Sequence, residues 1–512
     1  MKKKLVTLAL AASMAASALV GCGSSGSTTA SEAPAADSTA TTEATADNSE
    51  LPVVTMEYLL IGDTSSADKI EAELNKILAE KAQAQVKLVG IEFANLTTQL
   101  NLMLAGGDNS IDLFNSFWYT SMSNLVANGQ VIKLNDLLQS DGQDILKLYD
   151  GKDAYLGCGR VGEDQYGIPS IYAWSSQNEY IVQQADSDAA GIDWSKVTTF
   201  NDMTDAMLAM KKASPDKYFI PGSTQPYYVP KDIDCLGDTN NLGVLTDPTN
   251  STTVENYYES DYFNNVLDQV QIWKENDLIS PDGLSNSDPN LVNLQNGIAD
   301  GTPGYNWSAE SGITSTEAQY VMDLTGGAIT DPLATSGDVT TYMWHISSFC
   351  KDPAAAMRVL NVLYTDVEAA QLVGQGIKDE NYVDNGDGTI SYPEGKTLFD
   401  CGWGPNGSAL WPNITLCTPY DYQGATMYED MQKQNETAAK SLALGFVFDS
   451  TPVADQVAAC TQVVAQYYTP LMLGEVSKDE ALGEFNQALK DAGIDEIVAE
   501  KQRQLDDWLS QQ

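Results

Sequence analysis

Residues 53–61 read VVTMEYLLI, and this β-rich run predicts the first strand of the part of the chain that decides the fold. Apolar residues between positions 70 and 78 recur at helical spacing, which predicts a helix. The same reasoning predicts a strand at 86–93, a helix at 95–104 and a third strand at 111–117. Strands that alternate with helices in this way predict a parallel sheet with helices on both faces.

A second α/β region begins near the YGIP sequence at 166–169, and helices are predicted at about 200–213 and 261–276. The end of the chain reads as helical. Ser477 and Glu480 have the spacing of a capping box, and Gly493 ends the helix that this box starts. The apolar positions after Gly493 form one stripe of a final helix.

Length and charge already exclude several classes of protein. The chain has 512 residues, which is too long for one hydrophobic core, so two or more domains are expected. Its formal net charge is −44, and because such a surface repels phosphate backbones, we expect no nucleic-acid partner. The single histidine, His345, excludes a zinc site built from several histidines. The sequence also lacks a GxxxxGK[ST] loop and a GxSxG elbow.

The first 22 residues, MKKKLVTLALAASMAASALVGC, have the pattern of a secretory signal. Lysines precede an apolar run that is too short and wrongly flanked for a transmembrane span. LVGC at 19–22 resembles the lipobox of bacterial lipoproteins, which implies a signal peptide at 1–21 and a diacylglycerol on the sulfur of Cys22. Residues 23–50 lack large apolar side chains, so we expect a disordered tether there.

Several later segments resemble one protein family. DLFNSFW at 112–118, YGIP at 166–169 and GYNWS at 304–308 resemble segments of family 1 extracellular solute-binding proteins, the substrate-binding components of ABC importers. SLALGFVFD at 441–449 and the segment 492–508 resemble the uncharacterised C-terminal domain of LipO-type lipoproteins, a subgroup that accompanies sugar importers.

The resemblance implies an α/β fold of two lobes like that of maltose-binding protein, with a mostly parallel sheet flanked by helices in each lobe and a helical C-terminus. By this analogy, lobe 1 comprises 51–167 and about 330–368, and lobe 2 comprises about 168–329 and 369–512. The ligand is expected in the cleft between the lobes, which closes around it.

The family also implies a function. We expect an extracellular binding protein that captures a carbohydrate, an oligosaccharide, and delivers it to ABC permease subunits in the membrane. It requires no cofactor or metal and performs no chemistry on the ligand. We expect a monomer on the outer face of the cell membrane, in contact with the bilayer only through its lipid.

Candidate binding residues follow from the chemistry of sugars. Pyranose rings present a flat C–H face that packs on aromatic side chains, while their hydroxyls bond to polar side chains. Aromatic residues at strand ends or in glycine-rich loops, with polar neighbours, are therefore candidates. Each alone is more often a core or rim residue, but the family resemblance places three of the tryptophans, 118, 307 and 403, at the cleft. The candidates are Asn115, Trp118, Tyr119, Trp174, Asn306, Trp307, Trp403, Asn406 and Trp411.

Two other motifs have a structural interpretation. Residues 384–394, DNGDGTISYPE, could be aligned with a calcium loop, but the first ligand position would then be Val383, which cannot bind calcium. A hairpin around the Asn-Gly and Asp-Gly pairs explains the glycines without a metal. His345 lies in a mostly apolar strand, which favours a hydrogen-bonded structural histidine over a functional one.

Six cysteines remain besides Cys22, and none is part of a CxxC pair, which disfavours zinc. An even number in an exported protein permits disulfides, with Cys401 and Cys417 the closest pair in sequence. Buried thiols would give the same sequence, so both alternatives stay open.

Other functions are compatible with the same sequence. The importer role is also consistent with a ligand such as a peptide or a polyamine. A secreted glycoside hydrolase needs only two carboxylates, of which this acidic chain has many. A surface adhesin would lack a closing cleft. Incubation with oligosaccharides followed by product analysis distinguishes a hydrolase from a binding protein.

The first testable prediction concerns the anchor. Because Cys22 provides the sulfur for lipidation and no later apolar run is long enough to span a membrane, Cys22→Ser should abolish lipidation and membrane attachment. Membrane fractions washed with carbonate provide the measurement. Retention of the Cys22→Ser protein in those fractions would show that the anchor prediction is wrong.

Overall fold

The computed structural model describes residues 51–512, except for Asp108, Trp118, Tyr119, Thr239, Asn240 and residues 404–409. The signal peptide, Cys22 and the tether predicted within residues 1–50 lie outside the described residues.

Both strands and helices occur along the whole of the described chain. The strands are β1 (Val53–Leu60), β2 (Gln85–Glu92), β3 (Leu113–Asn115), β4 (Arg160–Val161), β5 (Asp164–Gln165), β6 (Ile168–Pro169), β7 (Gln177–Gln183), β8 (Gly301–Asn306), β9 (Leu324–Ala328), β10 (Leu333–Ala334), β11 (Met343–Ile346), β12 (Val383–Asp384), β13 (Ile390–Ser391) and β14 (Ala439–Lys440). The α-helices are α1 (Ala67–Lys81), α2 (Leu96–Met103), α3 (Met122–Ala127), α4 (Asn135–Ser140), α5 (Gln143–Leu148), α6 (Asp153–Gly157), α7 (Gln184–Ala190), α8 (Phe200–Ala213), α9 (Asp261–Glu275), α10 (Asn290–Gln295), α11 (Ala309–Tyr320), α12 (Ser336–Thr340), α13 (Pro353–Thr365), α14 (Val367–Gln375), α15 (Met427–Thr437), α16 (Ala454–Met472), α17 (Lys478–Ala492) and α18 (Ile494–Leu509).

The first lobe is built on a sheet with the strand order β2-β1-β3-β11-β6. Strand β1 is parallel to β2 and β3, whereas β11 is antiparallel to β3 and β6. Four of the five strands therefore run in the same direction and only β11 is opposed. In this sense the sheet is mostly parallel, as the alternation of strands and helices predicts. The apolar face of α1, with Ile70, Leu74 and Leu78, packs in one core with Val54 and Met56 of β1. The helical spacing in the sequence reflects this burial.

The second lobe is built on a sheet with the order β8-β7-β9, and here the strand direction differs from the prediction. Strand β7 is antiparallel to both of its neighbours. The prediction of a mostly parallel sheet is therefore wrong for this lobe. The physical reason lies in the chain path: β7 leads away from the first lobe, and both β8 and β9 return towards it.

The C-terminal helices pack on the core of the second lobe. Ser477 and Glu480 form the predicted capping box at the start of α17, and Gly493 ends this helix with a φ of +98°. In α18 the side chain of Lys501 is fully buried, and its Nζ donates hydrogen bonds to the carbonyl oxygens of Gly243 (3.0 Å) and Cys235 (3.3 Å). Within residues 51–512 as described, no helix is both long and apolar enough to cross a bilayer.

Helix α14, Trp403 and Trp411 pack with the first lobe, whereas the predicted boundary assigns 369–512 to lobe 2. Helix α14 buries Leu372 and Val373 in the core of the first lobe, and Trp403 and Trp411 belong to the same core. The indole nitrogen of Trp403 donates a hydrogen bond to the carbonyl oxygen of Val373 at 2.7 Å. The predicted boundary is wrong for these residues because their large apolar side chains are part of the core of the first lobe.

The segment that allowed a calcium interpretation forms the predicted hairpin. Strands β12 and β13 pair antiparallel, with Asp384 opposite Ile390. Gly386 and Gly388 have positive φ values in the turn, which explains the glycines. The Asp384 carboxylate pairs with Lys378 at 2.8 Å.

The surroundings of His345 confirm its structural role. The side chain is fully buried, its Nδ1 lies 2.9 Å from the carbonyl oxygen of Tyr166, and its ring stacks on Phe114. Burial lowers its pKa to about 4, so the imidazole is neutral at physiological pH.

Of the two alternatives for the cysteines, disulfides or free thiols, the described residues show free thiols. None of the six cysteines forms a disulfide there. Burial raises the pKa of the Cys158 and Cys417 thiols to about 12, so both stay protonated at neutral pH. The six residues are Cys158, Cys235, Cys350, Cys401, Cys417 and Cys460.

Each lobe buries one glutamate in its central sheet. Glu57 of β1 and Glu179 of β7 are each 3% exposed. Oε1 of Glu57 accepts a hydrogen bond from the backbone nitrogen of Asn115 at 3.4 Å, whereas Oε2 has no hydrogen-bond partner among the described residues. Burial raises the pKa of both carboxyls from 4.5 to about 8, so both are protonated at neutral pH.

The second prediction follows from this shift. Between pH 4.5 and 8 the unfolded chain ionises Glu57 while the folded chain keeps it protonated. The unfolded state then binds fewer protons, so stability falls as the pH rises. Glu57→Gln removes one such carboxyl and should reduce this loss by about 1.4 kcal/mol per pH unit. Denaturant unfolding at several pH values measures the pH dependence of the free energy of unfolding for both proteins.

The control for this prediction is Glu73→Gln, because the Glu73 side chain is 48% exposed and pairs only with Lys76 at the surface. This variant should retain the wild-type pH dependence. An unchanged slope in Glu57→Gln would contradict the burial of a protonated carboxyl at that position.

Candidate ligand-binding cleft

The edge of the first-lobe sheet that adjoins the second lobe carries three aromatic side chains. Phe93 follows β2, Phe117 follows β3, and Tyr342 precedes β11. Because β11 is antiparallel to β3, its start lies beside the end of that strand. The ring centroids of Phe93 and Phe117 are 6.1 Å apart, and those of Phe117 and Tyr342 are 5.1 Å apart in a stacked arrangement. Phe93 is 50% exposed, so the row reaches the surface.

Two more aromatic residues continue this row towards the second lobe. Tyr172, in the connection from β6 to β7, meets Tyr342 edge-on at 5.8 Å. Tyr305, near the end of β8, is 43% exposed. Burial, and then the neighbouring phenols of Tyr172 and Tyr305, raise the pKa of Tyr342. We call Phe93, Phe117, Tyr342, Tyr172 and Tyr305 the aromatic row. Ring contacts link the first four, and Tyr305 of the second lobe lies near enough to influence the pKa of Tyr342.

A charged pair adjoins the row at Tyr305. The Nζ of Lys231 lies 4.3 Å from the centroid of the Tyr305 ring and 2.8 Å from Oδ1 of Asp338. The carboxylate of Asp338 also accepts hydrogen bonds from the hydroxyls of Ser176 (2.8 Å) and Thr335 (2.9 Å), one in each connection between the lobes. Burial alone acts to lower the pKa of Lys231, but Asp338 and Tyr305 outweigh it and the net shift is upward. Lys231 is therefore charged.

This arrangement makes the aromatic row a candidate binding surface. Exposed ring faces and edges provide apolar area, and the neighbouring Asn306 and Glu310 provide polar groups. Aromatic side chains with a few polar groups beside them are typical of small-molecule recognition.

The structure accounts for the predicted site residues in three groups. Trp118, Tyr119 and Asn406 lie outside the described residues. Four others, Asn115, Trp174, Trp403 and Trp411, are buried in the first lobe, each 3% exposed or less. Asn306 and Trp307 lie at the edge of the second-lobe sheet.

The three buried tryptophans have structural partners. Trp403 and Trp411 lie in an aromatic cluster with Tyr58 and Trp344, at centroid distances of 5.3–6.3 Å. Trp174 stacks on Tyr149 and Tyr155 and donates from its indole nitrogen to the carbonyl oxygen of Ser170 at 2.9 Å. These contacts occupy the tryptophans as core residues in this conformation.

Of the two residues at the edge of the second lobe, Asn306 is half-buried and accepts a hydrogen bond from the backbone nitrogen of Trp307 at 2.8 Å. Trp307 is 8% exposed and packs against Ile414 and Met427, with Tyr172 at the border of this cluster. Trp307 is therefore part of a buried cluster that packs against Tyr172 of the aromatic row.

Sequence reasoning missed all five residues of the row, although two are next to predicted ones. Phe117 precedes Trp118, and Tyr305 precedes Asn306. A signal was present, since both residues lie at strand ends beside polar neighbours. The sequence does not show which of two adjacent residues faces the cleft, because neighbouring residues in a strand point to opposite faces.

Two parts of the chain match known families. Residues 64–370, more than half of the chain, match the bacterial extracellular solute-binding proteins. This chain belongs to that family. Residues 442–510 match a domain of unknown function, DUF3502. Both matches confirm the family resemblance read from the sequence motifs.

This solute-binding protein also resembles individual proteins. It is 24% identical over 477 residues to a carbohydrate ABC transporter substrate-binding protein of Streptococcus pneumoniae serotype 4, covering 91% of this chain and 92% of the relative. Its fold is similar to that of the N-glycan transport solute binding protein NgtS from the same species, with a TM-score of 0.77, 21% identity, and coverage of 90% and 99%. NgtS structures include complexes with Man1GlcNAc and Man5GlcNAc.

A further similar structure is an HMO-binding, ABC-transporter-associated solute-binding protein from Bifidobacterium longum infantis. Its TM-score is 0.62 at 14% identity, covering 89% of this chain and 99% of the other. At these identities the likenesses show the fold, and they confirm the two-lobe architecture.

The third prediction tests the placement of the aromatic residues. Trp403→Ala removes a fully buried indole and its hydrogen bond to Val373, so it should lower the free energy of unfolding by about 3–5 kcal/mol. Tyr305→Ala removes a ring that is 43% exposed and should cost about 1 kcal/mol or less. Denaturant unfolding without ligand measures both. Equal losses would contradict the division into core and cleft residues.

Proposed function

We propose that this protein is the carbohydrate-capturing component of an ABC importer and that it binds an oligosaccharide at the aromatic row. The observation that carries the proposal is the row itself, which runs from Phe93 on the first lobe to Tyr305 on the second. The oligosaccharide is then passed unchanged to permease subunits in the membrane.

Physical chemistry favours an aromatic platform for such a ligand. A hydrogen bond to a sugar hydroxyl replaces one to water and contributes only about 1 kcal/mol net. The remaining affinity must come from apolar C–H surface that packs on rigid rings, at about 25 cal/mol per Å² buried. Phe93 and Tyr305 are the exposed rings of the row, so they offer this surface.

The relatives support the choice of ligand class. The similar protein from Streptococcus pneumoniae is named for carbohydrate, and NgtS has been crystallised with mannose-containing N-glycan fragments. We propose oligosaccharides of comparable size for this protein. Asn306 next to Tyr305, and Trp118, Tyr119 and Asn406 outside the described residues, are proposed as further contacts.

The proposal includes the predicted location. Lipid on Cys22 would hold the protein at the outer face of the cell membrane, and residues 23–50 would let the lobes reach the permease. No chemistry on the ligand is part of this function. Product analysis after incubation with the bound oligosaccharide should therefore recover it intact, and turnover would contradict the proposal.

The fourth prediction tests the row by binding. A thermal-shift screen of oligosaccharides, Man5GlcNAc among them, identifies a ligand, because a ligand at 100 times its Kd adds about 2.7 kcal/mol of stability. Tyr305→Ala and Phe93→Ala should each then weaken its binding by about 1–3 kcal/mol, or roughly 5- to 150-fold, in titration calorimetry.

The matched control is Phe349→Ala. Phe349 is 41% exposed, similar to Tyr305 and Phe93, but it follows the end of β11 and so lies at the opposite edge of the same sheet. Its removal should leave affinity unchanged. Equal loss of affinity in all three variants, or none in any, would show that the ligand binds elsewhere.

A further inference from the structure

The segments that carry the aromatic row or lie beside it at strand ends contain a single basic residue. Five of these parts of the chain follow strands β1, β2, β3, β6 and β8. One contains Lys231 and its neighbours in sequence, and one precedes β11. In these segments the acidic residues are Asp63, Asp232, Glu310 and Asp338, and Lys231 is the only base. The segments are 61–66, 93–95, 116–117, 120–121, 170–176, 227–232, 305–310 and 335–342.

This one base is already paired. The Nζ of Lys231 lies 2.8 Å from Asp338 and above the ring of Tyr305, and the two charged side chains are only 19% and 9% exposed. Hydrogen bonds from Ser176 and Thr335 fix the position of the Asp338 carboxylate. A carboxylate on a ligand would therefore have to share the ammonium group with a carboxylate that already balances its charge.

The rest of the chain adds to the barrier against anions. The formal net charge of −44 gives the surface a negative potential. A neutral ligand is unaffected by this potential, whereas an anion is repelled and, at the cleft, loses its hydration without gaining an unpaired cation.

We infer that the cleft selects uncharged oligosaccharides over acidic ones and that the Lys231–Asp338 pair sets this selectivity. The inference rests on the proposed function, since it specifies the class of oligosaccharide taken at the same site. Asp338 is then a specificity-determining residue, because it balances the positive charge of Lys231, the base that lies against the ring of Tyr305.

The first test compares matched ligands. An array of neutral glycans, each beside the same glycan with one terminal sialic acid, identifies binders, and calorimetry gives both affinities. We expect the acidic member of each bound pair to bind at least tenfold more weakly. Raising the salt from about 10 mM to 500 mM should reduce this ratio, because salt screens repulsion and leaves neutral binding unchanged.

The second test changes the pair. Asp338→Asn is nearly isosteric and releases the charge of Lys231, so the ratio of neutral to acidic affinity should fall about tenfold. The double variant Lys231→Gln/Asp338→Asn removes the ammonium as well. Its ratio of neutral to acidic affinity should return most of the way to the wild-type value. Melting temperatures without ligand show whether each variant is folded.

The control is Glu475→Gln, which releases Lys274 from a surface pair of the same 2.8 Å length elsewhere on the second lobe. It changes the net charge by the same amount and should leave the ratio unchanged. An equal fall in Glu475→Gln and Asp338→Asn would assign the selectivity to net charge and overturn the role of the pair.

The outcomes separate this inference from the proposed function. Acidic glycans that bind wild-type protein as tightly as their neutral partners would overturn the inference and leave the proposed function standing. If no glycan of either kind binds, the proposed function fails and the inference fails with it.

Discussion

The side-chain amide of Asn115 holds together the edge of the cleft. Its Nδ2 donates to the carbonyl oxygen of Leu410 at 3.0 Å, and its Oδ1 accepts from the backbone nitrogens of Phe117 (3.0 Å) and Met343 (3.3 Å). It thereby joins β3, β11 and the segment at 410 inside a buried site, where unpaired polar groups are costly. Phe117 and Tyr342 stack at 5.1 Å because this amide fixes both of their strands.

Local patterns in the sequence predicted much of the fold. The spacing of apolar residues gave α1, and the Ser477–Glu480 box with Gly493 gave both ends of α17. These features depend on neighbours within a few residues. The antiparallel direction of β7 and the packing of Trp403 into the first lobe depend instead on contacts between segments far apart in sequence. A single sequence carries no local signal for such contacts.

The site was harder to predict for a related reason. An aromatic residue after a strand can turn outward as a platform or inward as core, and its sequence context is the same in both cases. Trp403, flanked by glycines, turns inward because a cluster with Tyr58, Trp344 and Trp411 is available. Tyr305 is 43% exposed and has the ammonium group of Lys231 against its ring instead of such a cluster. The difference lies in the neighbours that the fold supplies.

The position of the aromatic row across both lobes also explains how binding could be coupled to closure. A ligand shifts an equilibrium between open and closed forms only through contacts that differ between them. Phe93 and Phe117 belong to one lobe, so a sugar that touches them alone would bind both forms equally. Tyr305 belongs to the other lobe, and its contact with the same sugar depends on the distance between the lobes. That contact is therefore the one able to favour the closed form.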